Sequence, residues 1–160
     1  MAQDRYPKDK RRNDYPGKRN DSKPGENKIE KLEITCDEII KGKNFERLVD
    51  DANKMGKFMV DEKVKSTQFR RIFTHIKRIQ TRLKKNENET DQRIPDEIMK
   101  EIYILKPKMA YTAGRHTNLE FLYKIMIDFI NEIKTREHFD IFYHFIEATL
   151  AYHKFHGGAE

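Results

Sequence analysis

STQFRRIFTHIKRIQTRLKK, running from Ser66 to Lys85, sets its apolar residues at the spacing of one helix face. Phe69, Ile72, Phe73, Ile76, Ile79 and Leu83 recur every three or four positions, where a half-buried strand would alternate every two. Each such side chain contributes roughly 1.5–3 kcal/mol when fully buried, so the stripe belongs against a core. Ser66 or Thr67 is placed to cap the helix. The opposite face carries Arg70, Arg71, Lys77, Arg78, Arg82, Lys84 and Lys85, and no Asp or Glu occurs between Lys63 and Asn86. Like charges three or four positions apart cost about 0.2–0.5 kcal/mol per pair, and nothing local in the sequence offsets them here. That face suits a polyanion, with Lys77 and Arg78 as candidate contacts beside Arg70 and Arg71.

Downstream, residues 86–93 read as a polar, largely acidic loop. Pro95 then opens a helix through Ile98, Ile102 and Leu105 into LKPKMAYTAGR, residues 105–115. Pro107 has no N–H to donate and disfavours helical geometry at Lys106, so it either kinks this helix or begins a new one. A helix continuing from Pro107 sets Lys108 and Arg115 two turns apart on one face. Ala110, Ala113 and Gly114, with almost no side chain, are expected to let another backbone come close, because a helical glycine costs about 1 kcal/mol against alanine and needs a packing reason. Tyr111 reads as a packing residue more readily than as a stacking partner for a base. After His116, Thr117 or Asn118 caps a further helix with Leu119, Leu122, Tyr123, Met126, Phe129, Ile130 and Ile133 inward. A final helix begins around residues 136–138 and ends before Gly157, with Phe139, Phe142, Tyr143, Ile146 and Leu150 inward.

Upstream, Thr35 and Glu38 have the spacing of a capping box for a short helix ending near Gly42. A longer helix follows Asn44, with Phe45, Leu48, Val49, Ala52, Met55, Met59 and Val60 on its buried face. Period-two alternation is not sustained in any segment. The fold class is therefore all-α: a compact bundle of about five main helices joined by short loops.

Residues 1–28 hold Pro7, Pro16, Pro24, Gly17 and Gly25 among charged and polar residues, with nine Lys or Arg against five acids. Too little apolar surface is present to offset ordering entropy, so this segment reads as a disordered basic tail and residues 29–160 as a single helical-bundle domain. Across the 160 residues, 33 Lys and Arg outnumber 27 Asp and Glu, which favours an anionic partner. No apolar run approaches the roughly 18 residues of a membrane span, and no apolar leader is visible. A cytoplasmic protein with no membrane partner is expected. Cys36 is the single cysteine, which precludes an intrachain disulfide and a cysteine-built metal site.

Motifs for chemistry are sparse. The six histidines form no His-Glu-x-x-His pattern. His138 and His144 do not share a helix face, and His153 and His156 sit at an end expected to fray. Asp140 and Glu147 share a face but read as a solvated edge. Neither a metal nor another cofactor is expected, and no catalytic group is assigned. A small ribonuclease would need two titratable groups converging on a phosphate, for which His75 and His116 are the candidates.

LKPKMAYTAGR closely resembles the central motif of the small subunit of type III-A CRISPR effector complexes, the small Csm subunit. Ser66-Thr67-Gln68-Phe69-Arg70-Arg71 resembles a helix opening of the same family, with Phe69 where isoleucine is commoner. The resemblance spans roughly residues 40 to 155 and leaves the tail outside. It implies a non-catalytic RNA-binding subunit whose copies stack along the crRNA-carrying backbone filament, beside the large subunit, and contact phosphates of crRNA or target RNA without reading bases. It also implies RNA-contacting roles for Arg70, Arg71, Lys106, Lys108 and Arg115. The alternatives are an unrelated helical nucleic-acid-binding or scaffold protein and the small ribonuclease.

Overall fold

Six α-helices and one 3-10 turn follow one another in the computed structural model, which describes residues 32–85 and 92–160. The helices are α1 (Cys36–Lys41), α2 (Phe45–Asp61), α3 (Ser66–Lys85), α4 (Asp96–Arg115), α5 (Glu120–Glu132) and α6 (Arg136–Phe155), with the 3-10 turn at Thr117–Leu119. Five are main helices of 13 to 20 residues, as the apolar spacing leads one to expect. An isolated bridge between Arg93 and Thr135 is the extended pairing among the described residues. The expected disordered tail at 1–28 and most of the acidic loop lie outside the described residues.

Helix α6 is the axis of the bundle. It packs on α1, α2, α3 and α5, and it buries Phe139, Ile141, Phe142, Tyr143, Phe145, Ile146, Thr149 and His153. A helix covered on several sides has no single apolar stripe, which is why Ile141, Phe145, Thr149 and His153 escape a reading by periodicity. Phe121 and Ile125 of α5 are buried for the same reason. Phe129 of α5 lies between Phe142 and Phe145 of α6, with ring centroids 5.7 and 4.5 Å away.

Helix α2 docks closest to that axis, and its buried line is Leu48, Asp51, Ala52, Met55, Gly56 and Met59. Gly56 makes the docking possible: a Cβ there would lie 2.7 Å from the His153 backbone nitrogen and 2.9 Å from the Thr149 carbonyl oxygen. This register leaves Phe45 57% and Val49 44% exposed, correcting the expectation that both face the core. Asp51, fully buried, accepts from Arg47 Nε at 3.1 Å and Lys54 Nζ at 3.0 Å. Arg47 also overturns the expected capping box of α1. Its Nη2 donates to the Thr35 hydroxyl at 2.8 Å, so Thr35 makes no side-chain cap. Asn44 caps α2 as expected, accepting from Arg47 N at 2.9 Å.

Two further ties close the bundle. Arg136, buried at the start of α6, donates from Nη1 to the Leu83 carbonyl at 2.8 Å and from Nε to the Arg93 carbonyl at 3.0 Å. A cation thus satisfies the carbonyl end of α3 and fixes the chain just before α4. At the other end of α6, His153 is buried, its Nε2 lies 2.8 Å from the Val64 carbonyl, and Gly158 packs over the ring. The expected fraying is absent there. Asn118, expected as a cap, instead donates to the Glu62 and Lys63 carbonyls at 3.3 Å each.

Candidate nucleic-acid interface

Helices α3 and α4 pack against each other, with Phe69, Ile72, Ile76 and Ile79 of α3 and Ile102, Leu105, Met109 and Ala113 of α4 all buried in the common core. Pro107 does not end α4, which runs unbroken through it. Its missing N–H leaves the Tyr103 carbonyl without its usual helical donor. On the solvent side the two helices leave a groove of about 550 Å³, lined by Thr67, Gln68, Arg71, Ile72 and His75 from α3 and by Pro107, Lys108, Tyr111, Thr112, Arg115 and His116 from the end of α4.

Helical geometry explains the membership. Arg71 and His75 are four positions apart and so share a face of α3, while Lys108, Tyr111 and Arg115 recur at three and four positions on α4. Arg71, Lys108 and Arg115 are all exposed, so their charges are available to a ligand. His75 is half-buried among them. Burial, followed by the Lys108, Arg78 and Arg71 charges, pushes its pKa below the usual histidine value. The ring therefore stays neutral to lower pH than an isolated histidine.

The seven cations singled out from the sequence are divided by the fold. Arg71, Lys108 and Arg115 come together in the groove. Arg78 lies beside His75 but within 4.0 Å of Glu101, which also pairs with Arg82. The like charges of α3 are thus partly offset across the helix pair, by an α4 residue remote in sequence. Arg70 and Lys77 are exposed but line no part of the groove, since successive helix positions are about 100° apart. Lys106 is turned toward α5, donating to Asn131 Oδ1 at 2.7 Å with its ammonium 5.0 Å from the Tyr103 ring centroid.

His75 and Tyr111 also line the groove, although neither was assigned as an RNA contact from the sequence. Their common signal is the spacing to neighbouring cations, Arg71 to His75 and Lys108 to Tyr111 to Arg115. Tyr111 also departs from its expected packing role, because its side chain is exposed. Gly114 departs as well: a Cβ there would meet no atom within 4 Å, so no backbone approaches it.

His144 lies 3.4 Å from both Asp140 and Glu147, on an exposed edge of α6. Among the described residues no group of three or more His, Cys, Asp or Glu is placed to hold a metal ion. Burial, with the Asp128 charge, pushes the Cys36 thiol up to about 12, which leaves it protonated and unreactive at neutral pH.

Residues 42–159 match the family model described as Csm2 Type III-A. The chain belongs to the Csm2 Type III-A family. It is thereby a small subunit of the type III-A CRISPR Csm complex, and the expected resemblance holds over nearly the same residues. Every groove residue lies inside the matched span. None of the curated proteins matches the chain. No helix among the described residues is long and apolar enough to cross a membrane.

Proposed function

We propose that this Csm2-family subunit binds RNA through the α3–α4 groove and does not cut it. The observation that carries the reading is the convergence of Arg71, Lys108 and Arg115, from two helices, on one concave and solvent-open surface. Exposed Lys and Arg contribute affinity and position through phosphates but carry no base information. The groove therefore holds crRNA or target RNA irrespective of sequence, and Arg78 extends the positive field along α3. Arg70, Lys77 and Lys106 add charge outside the groove. Copies of the chain stack along the crRNA filament in the cytoplasm, against the backbone subunits and the large subunit. Residues 29–160 act as one domain that folds without the basic tail.

A tagged full chain expressed with its partner subunits should recover those subunits together with a ladder of processed crRNA. Recovery of the subunits without RNA, combined with no RNA binding by the isolated chain, overturns the reading.

One observation favours a second reading. His75 and His116, the ribonuclease candidates, both line the groove, and a neutral His75 flanked by cations has the form of a general base. Incubation of labelled RNA with chelated wild-type protein and with the His75→Gln/His116→Gln double variant separates the two. Intact RNA, or trace cleavage equal in both proteins, supports binding alone; cleavage lost only in the double variant establishes the nuclease.

A further inference from the structure

We infer that Tyr111 and Arg115 form a seat for one unpaired RNA base, an inference that rests on the groove being an RNA site. Tyr111 is 64% exposed, although the core of the same bundle holds many aromatic rings and α4 buries Met109 and Ala113 on either side of it in sequence. Its ring is thus not used for packing. Arg115 sits over one side of that ring, its guanidinium carbon 5.7 Å from the centroid, and its Nη1 donates to the phenol oxygen at 3.4 Å. Cation and ring are held as one unit, with the remainder of the ring open to solvent.

The position of this unit favours a nucleotide over a protein surface. Lys108 lies one turn earlier on the same helix, and Arg71 lies across the groove. A strand whose phosphates meet those cations brings a base to Tyr111. Every base has a π-face, so stacking adds affinity without sequence readout. A base already paired and stacked in a duplex cannot use the seat, and the groove therefore prefers single strands. An apolar protein partner would be met instead by Arg71, Lys108 and Arg115 lining the same groove as the ring.

The test uses the full chain and a short single-stranded RNA carrying fluorescent aminopurine. The sequence has no tryptophan, so the label is free of indole interference. Wild type should quench the label on binding. Tyr111→Ala should abolish the quench and weaken binding roughly tenfold, and Tyr111→Phe should retain both. Removing single bases from the RNA should weaken wild type at one position and leave Tyr111→Ala indifferent. Because the ring is exposed, the alanine variant should melt with wild type, which a thermal scan verifies. Salt-sensitive binding that is equal in wild type and Tyr111→Ala overturns the seat and leaves the phosphate groove standing. Wild type that binds no RNA at low salt overturns both. Unchanged RNA binding with loss of a partner subunit from the pulled-down complex assigns Tyr111 to protein docking and also overturns the seat.

Discussion

Gly56 and Gly114 both sit inside helices, yet one is pressed against another backbone and the other faces open space. At Gly56 a Cβ would fall 2.7 Å from both the Tyr152 Cβ and the His153 nitrogen of α6; at Gly114 it would meet nothing within 4 Å. The α2–α6 contact is closed, backbone against backbone. The α3–α4 contact closes only on its core side and stays open where its cations are. Small residues alone therefore do not identify a docking face, and the two helix pairs divide the work of holding the bundle and presenting charge.

That division is easiest to break at Gly56. Gly56→Ala pushes on atoms of the α6 backbone that cannot rotate away, and should cost about 1–3 kcal/mol or more, read as a lower denaturant midpoint. A neutral result would mean that the two helices separate freely. Arg136→Met comes next. It removes the donor to the Leu83 and Arg93 carbonyls and should cost about 2 kcal/mol, by the same measurement, with the proposed RNA binding intact once the protein is folded. At Gly114 the sign reverses: Gly114→Ala should stabilise by about 0.5–1 kcal/mol. A loss there would reveal a close neighbour after all.

The smallest effect concerns His75. Its folded pKa is lowered, so below the ordinary histidine range the unfolded chain binds more protons, and stability falls as pH falls through that value. His75→Gln should flatten that dependence between about pH 7 and pH 5. On the proposed placement of RNA phosphate in the groove, the ligand's charge favours protonated His75, so binding should tighten over the same fall in pH, and less so in the variant.

Much of this was readable in the sequence. The α3 stripe is narrow and one-sided, so Phe69, Ile72, Ile76, Ile79 and Leu83 were placed correctly in the core. On α2 the same logic misplaced Phe45 and Val49, because the face is set by where Gly56 admits α6, a relation between residues about a hundred positions apart. The groove was readable in part: spacing gave Lys108 and Arg115 a common face of α4 and the two basic helices suggested a shared groove with Arg70 or Arg71, but only the fold selects Arg71 over Arg70 and turns Lys106 away. Glu101 shows the complementary limit. It offsets charges on α3 that have no acid near them in sequence.

The groove is tested most directly by the salt dependence of RNA binding in two charge-matched double variants, each first shown to melt like wild type. Each lost phosphate contact lowers the slope of log K against log salt by about 0.7 for a single strand. Arg71→Ala/Arg115→Ala, which strips the groove, should flatten the slope by more than about one unit and weaken unrelated RNA sequences alike. Arg70→Ala/Lys77→Ala, which removes the same formal charge outside the groove, should change it by clearly less. An unchanged slope in the first variant, or an equal loss in both, would contradict a phosphate site built between α3 and α4.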